Sequence, residues 1–344
     1  MGRLAKIGIH EGRKTPVSFV LRENGVTWFD GISLLTLKQY KLEKIAENLA
    51  KGISLDIEQI RHLISNVPLP AILMLVETVR RREQLTSPMP VVAIPALSWL
   101  DTFGFAGALR ETSAVLQSMD FNENFIIYIE DVDVFRLDKV APLIQALKDI
   151  FIGVSFTAPD MSSLIQQLGS VAAKTAKGFE DQLKDILITL KEVGFDRIRG
   201  LKDRANLKLL NQLGFPINVC TLIDCYPDDL LLAKELVMLN SYADTYKIDS
   251  WFPGLKSISD GQAPNFMSDF KLLKMLAIGV ITLKNIPFFR ATSAYFTLEG
   301  VRTAFIFGAN DFGFGAFNES AGKVLNLKPY SDLSKVFSNS ETNK

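Results

Sequence analysis

The sequence predicts an α/β fold: a (β/α) TIM-like barrel, complete or partial, with an N-terminal hairpin and a helical extension in front of it. Three observations carry that prediction. From residue 91 onward, short apolar and β-branched runs recur as VVAIPAL (91–97), NFIIYIE (124–130), IGVSFTA (152–158), DRIRG (196–200), PINVCTLI (216–223), YKIDSWF (246–252), PFFRATSAY (287–295) and RTAFIFG (302–308). Helix-length segments such as LDKVAPLIQALKDI and DDLLLAKELVMLNSYA separate the first six. Near-continuous apolar strands divided by helices are the pattern of a parallel sheet buried on both faces, and six to eight such units over roughly 220 residues suit a barrel. A doubly wound open sheet is the main alternative, but no glycine-rich phosphate loop follows the first strand.

The elements ahead of the barrel follow from local signals. In VSFVLRENGVTWFDG two alternating strands flank Asn24-Gly25, a pair that supplies the two positive φ values of a type I′ hairpin turn. The helical run LKQYKLEKIAENLAKG ends at Gly52, a C-terminal cap. SLDIEQIRHLISN follows with Ser54 as the expected N-cap, and PAILMLVETVRRREQ forms a third helix. The expected divisions are a hairpin segment over 1–35, a helical lead-in over 36–88, the barrel over 89–330 and a flexible polar tail over 331–344. No internal repeat is visible.

Composition narrows the classes of function. Apolar residues make up 48% of the 344 and charged residues 22%, the balance of a globular chain with a sizeable core. Lys+Arg and Asp+Glu are equal at 38 each, which removes the simple electrostatic case for a nucleic-acid partner. The densest basic run, VRRREQ (79–84), reads as a solvated helix end that complements the dipole. No apolar run reaches the roughly 18–20 residues that span a bilayer, so no membrane partner is expected. MGRLAKIGIHEGRK lacks the apolar core of a secretory signal, and two cysteines do not make a disulfide scaffold. Cytoplasm is the expected compartment.

In the C-terminal third the run LLKMLAIGVITLKNIPFFRATSAYFTLEGVRTAFIFGANDFG resembles part of a radical S-adenosylmethionine subfamily. That subfamily includes the futalosine-pathway enzymes of menaquinone biosynthesis and the deazaflavin synthases. The resemblance rests on Asn285-Ile286-Pro287, Leu298-Glu299 and Gly308-Ala309-Asn310-Asp311. The N-terminal helices are similar to the family's lead-in, and LKEVGFDRIRG resembles its helix-to-strand segment, so the likeness spans roughly residues 40–322. The family holds a [4Fe–4S] cluster on C-x3-C-x2-C in the loop after the first barrel strand. Here that loop reads ALSWLDTFGFAGALR, which places Ser98, Thr102 and Phe105 at the required spacing. None is a credible substitute for a soft thiolate. YIEDVDVF stands where the family's second strand has a glycine-rich edge, and IRGLKDRAN stands in place of its P-G-G-G-A-E-like turn.

The resemblance and its departures together imply a cluster-less, radical-SAM-like barrel, a pseudoenzyme or accessory subunit with an intact relative or another protein as partner. No [4Fe–4S] cluster, no S-adenosylmethionine bound in the usual mode and no metal site are expected. The alternatives are a small-molecule carrier or sensor for a quinone-pathway or nucleoside-like ligand, and a radical-free enzyme using carboxylates at the barrel mouth.

Barrels bind ligands at the C-terminal ends of their strands, and candidate ligand-binding residues gather there. Glu130, Asp131 and Asp133 follow the second run, Asp224 and Tyr226 the fifth, and Asp249 and Trp251 the sixth. Arg290, Thr292 and Ser293 lie in the seventh, and Asn310-Asp311 follows the last. Paired carboxylates suit acid–base work or a hard cation, while Asp131 and Asp133 also read as caps of the helix near Leu137 or as side chains that simply face water. The loop GANDFGFG reads either as ligand-facing or as a turn in which Asn310 and Asp311 bond their own backbone. Trp251, Phe252, Phe288, Phe289, Tyr295, Phe312 and Phe314 could line a cavity for a flat ligand or fill the core. Cys220 and Cys225 read as a redox pair, or as one buried and one incidental thiol.

Overall fold

The computed structural model describes residues 17–22, 25–82, 91–118, 125–129, 132–172, 178–201, 206–311 and 313–316. Asn24, the acidic pair Glu130 and Asp131, Phe312 and the tail 331–344 lie outside the described residues.

Strands β1 (Val17–Arg22) and β2 (Gly25–Asp30) form the expected antiparallel hairpin, with Arg22 opposite Gly25. The lead-in helices are α1 (Gly31–Gln39), α2 (Glu43–Ala50), α3 (Ile57–Asn66) and α4 (Leu69–Arg82). Two expectations are corrected here. The single helix expected from Leu37 to Gly52 is split, because Lys41 takes a left-handed φ of 55° that α-helix cannot accommodate. The N-cap of α3 is Asp56 rather than Ser54: Asp56 Oδ1 accepts the Gln59 N–H at 2.8 Å and Gln59 Oε1 accepts the Asp56 N–H at 3.1 Å. That reciprocal capping box needs Gln three residues after the cap, a partner that Ser54 lacks.

The barrel begins with β3 (Val91–Ile94), α5 (Ala96–Ser118), β4 (Ile126–Ile129), α6 (Leu137–Ile150) and β5 (Ser155–Asp160). It continues through α7 (Met161–Ala172), α8 (Phe179–Val193), β6 (Arg197–Leu201), α9 (Leu207–Gln212) and β7 (Ile217–Leu222). A 3₁₀ turn (Ile223–Cys225) leads into α10 (Asp229–Thr245), β8 (Ile248–Gly254) and α11 (Lys256–Ser259). The last elements are α12 (Phe266–Thr282), β9 (Phe288–Phe289), α13 (Leu298–Ala304) and β10 (Phe314–Ala316).

Among the described residues, eight strands pair in the order β10-β3-β4-β5-β6-β7-β8-β9, every neighbour parallel. An isolated parallel bridge between Arg290 and Asp311 then joins the chain just after β9 to the chain just before β10. The sheet is thus curled into a partial (β/α) barrel whose two edges are linked at a seam one bridge wide. Alternate residues of the strands divide between its faces. Val92 and Ile94, Ile127 and Ile129, Phe156 and Ala158, Val219 and Trp251 belong to the apolar core with the surrounding helices. Ala93, Tyr128, Thr157, Asn218 and Ser250 take the opposite parity, on the concave side.

RTAFIFG, expected as the last strand, is not one. Thr297 caps α13 by accepting the Gly300 N–H at 3.0 Å, and the run continues that helix with Val301 and Ala304 buried three apart on one face. The strand is Phe314–Ala316, paired with β3.

Candidate functional site

In a parallel barrel each helix starts near the strand ends that form the mouth, so loops and helix N-termini build that face. Asp224 lies there as expected. Its Oδ1 accepts the Lys256 N–H at 2.7 Å, tying the turn after β7 to the start of α11. Tyr226 is half-buried against the core. Asp133 Oδ1 accepts the Phe135 N–H at 2.9 Å; it stabilises a turn and does not cap α6, whose N-cap is Arg136.

Asp249 and Trp251 do not follow their strand. β8 runs on to Gly254 because it stays paired with β7 as far as Leu222, which leaves Asp249 near the strand's start and Trp251 in its middle. Trp251 faces the helices: its Nε1–H donates to Thr221 Oγ1 at 2.9 Å, and a Cβ on Gly279 of α12 would fall 2.1 Å from its ring. It is a core residue. Asp249 is placed by a register shift, for Ile217 pairs with Ile248 but Asn218 with Ser250. The extra residue on β8 is Asp249, and such a bulge re-aims its side chain. The carboxylate forms an ion pair with Arg197, the first residue of β6.

Sequence reasoning missed Arg197 and the polar concave face next to it. Ser250 Oγ donates to Asn218 Oδ1 at 2.6 Å, and Thr157 stands level with Arg197 on the neighbouring strand. The signal was present as Asn218 and Ser250 at alternate positions of otherwise apolar strands.

The remaining candidates gather at the seam. Arg290 Nε and Nη2 donate to Asp311 Oδ2 at 2.8 and 2.7 Å, and the Gly313 N–H donates to Asp311 Oδ1 at 2.6 Å. Burial pushes the Asp311 carboxyl above its ordinary value, opposed by Arg290 and by the Gly313 N–H. Asn310 Oδ1 accepts the Phe289 N–H at 2.7 Å, and its Nδ2 donates to the Pro287 carbonyl at 2.8 Å. Thr292 is buried and its Oγ1 accepts the Ala294 N–H at 3.3 Å. The Ser293 hydroxyl is buried without a hydrogen-bond partner among the described residues.

Cys220 is buried, its Sγ 4.0 Å from the Tyr295 hydroxyl, while Cys225 is exposed. Phe252 packs on Tyr295 and Trp251 on Phe289, with ring centroids 6.0 and 6.4 Å apart.

The segment after β3 is helical from Ala96, with a break at Gly104 (φ 67°, ψ 178°). Thr102 Oγ1 donates to the Ser98 carbonyl at 2.7 Å, so the first two of the three cluster-ligand positions lie one helical turn apart. Two hydroxyls and a phenyl ring do not fit an iron–sulfur cluster. Among the described residues no three His, Cys, Asp or Glu side chains gather as a metal-ligand group, and no helix is long and apolar enough to cross a membrane. Asp101 on this segment bonds Arg136 at 2.5 Å and faces Lys139 at 3.7 Å. The Arg136 guanidinium holds its carboxyl below the usual range. Beside that latch Phe103, Phe105 and Phe135 are 55%, 44% and 55% exposed.

No family model and no curated protein matches the sequence. Solved structures are similar to it at a distance. The 3-dehydroquinate dehydratase of Geobacillus kaustophilus is 13% identical over 75% of this chain and 92% of its own, with a TM-score of 0.48. The FeFe-hydrogenase maturase HydG of Carboxydothermus hydrogenoformans is 11% identical over 83% and 75%, with a TM-score of 0.47. The dihydropteroate synthase of Xanthomonas albilineans is 14% identical over 75% and 95%, with a TM-score of 0.44.

Proposed function

We propose that the protein is a cluster-less, radical-SAM-like barrel that acts as an accessory subunit. The observation that carries this reading is the helix in place of a cluster-binding loop, with Phe103, Phe105 and Phe135 turned to solvent beside it. Clustered exposed aromatics are the material of a docking surface. The likeness over residues 272–313, from Leu272 to Gly313, favours a setting in menaquinone biosynthesis, and an intact relative from that pathway as the cytoplasmic partner. A radical-free acid–base role is less well supported, because Asp249 and Asp311 are both held by arginines.

The polar concave face favours a second reading, a carrier for a quinone-pathway or nucleoside-like ligand held among Thr157, Asn218 and Ser250. Native mass spectrometry on untagged protein, isolated anaerobically from its own cells, separates the two. A heteromeric mass supports the accessory subunit, and a 38.3 kDa chain carrying a discrete small molecule supports the carrier. A bare chain overturns both.

A further inference from the structure

We infer that the rim formed by the first turns of α12 and α13 is a self-association face whose occupant is a second copy of this chain. Four large apolar side chains stand out there: Phe266 (79% exposed), Met267 (64%), Phe270 (47%) and Leu298 (38%). The inner side of α12 is already buried along its length, so these residues are not needed for the fold. Their exposed area amounts to about 450 Å² when a large side chain is taken as roughly 200 Å². A standard interface buries about 800 Å² per partner with a core about two-thirds apolar, so the rim supplies most of one such core.

The rim is also rigid. Asp269, buried in α12, accepts the Thr297 N–H at 3.0 Å and the Thr297 hydroxyl, and Thr297 in turn caps α13. Two helix starts are thereby held as one surface before any partner arrives, which lowers the ordering cost of association.

Charge selects the occupant. Beside the apolar group Lys271 of α12 and Glu299 and Arg302 of α13 are exposed and of both signs, with Arg302 3.3 Å from Glu299. A strongly acidic or basic partner gains nothing from such a rim. A two-fold copy can set the Lys271 of each chain against the Glu299–Arg302 pair of the other, as an isologous contact allows. This inference does not rest on the accessory-subunit reading.

Sedimentation velocity on the full chain at micromolar concentration tests it, with Phe266→Ser/Phe270→Ser as the variant. Phe179→Ser, on the exposed side of α8, serves as the control. The expected result is a dimer in the wild type and the control, with association weakened at least about tenfold in the double variant and the unfolding transition unchanged. A monomeric wild type overturns the inference, as does a dimer indifferent to the double substitution.

Discussion

Arg290 and Asp311 meet across the seam of the barrel twice over, backbone bridged to backbone and guanidinium bonded to carboxylate, with both side chains no more than 6% exposed. Removing one member leaves the other as a buried, uncompensated charge, which costs more than the pair ever contributes. Asp311→Ala is expected to lose about 3–5 kcal/mol in urea unfolding, whereas Arg290→Met/Asp311→Leu regains most of it. A single-variant cost under about 1 kcal/mol would mean that other contacts hold the seam.

Lys274 of α12 donates to the Ile64 carbonyl at 2.6 Å in the last turn of α3, fastening the lead-in to the barrel. Desolvation lowers its pKa below the ordinary 10.5, and Asp229 opposes the shift. The unfolded chain therefore binds more protons than the folded one between the lowered value and 10.5, so this group makes stability rise with pH across that window. Lys274→Met has no titrating group at this position. The stability of the wild type relative to Lys274→Met is expected to increase as pH rises toward 10.5, read as the difference in Tm across a pH series. A difference that is flat or falls with pH contradicts the assignment.

Gly300 sets two effects against each other. Alanine in a helix is favoured over glycine by about 1 kcal/mol. A Cβ at this position, however, would lie 2.4 Å from the Asp269 carboxyl carbon, and Asp269 is fixed by two bonds to Thr297. Overpacking against a group that cannot yield costs about 1–3 kcal/mol, so Gly300→Ala is expected to be destabilising on balance. Faster hydrogen exchange at residues 297–304 would accompany the loss. A stabilised variant would show that the lock between α12 and α13 is loose.

What was legible in the sequence was whatever depends on neighbours along the chain. The hairpin and the first six barrel strands announced themselves through alternation and β-branched runs. RTAFIFG misled because Thr297, five residues upstream of its first residue Arg302, caps a helix that the local apolar run does not reveal. Trp251 lies near the end of the apolar run YKIDSWF and so reads as a mouth residue, yet Pro253 and Gly254 beyond it stay paired with Thr221 and Leu222. Arg197 could not be found by spacing at all, since its carboxylate partner lies 52 residues away and is aimed by a bulge.

On the accessory-subunit reading, more than the missing thiols keeps an iron–sulfur cluster from binding. In the wild type, anaerobic reconstitution is expected to yield neither stoichiometric iron and sulfide nor a cluster absorption band. Ser98→Cys/Thr102→Cys/Phe105→Cys restores the C-x3-C-x2-C spacing, but not the loop in which three thiolates converge. Positions 98 and 102 sit on a helix, where residues rise about 1.5 Å each, and position 105 lies beyond the break at Gly104. The Asp101 contacts with Arg136 and Lys139 hold that helix in place. The triple variant is therefore also expected to bind no cluster. A cluster in the wild type would overturn the accessory-subunit reading. A cluster in the triple variant alone would show instead that α5 unwinds readily, and that only three side chains separate this barrel from the family it resembles.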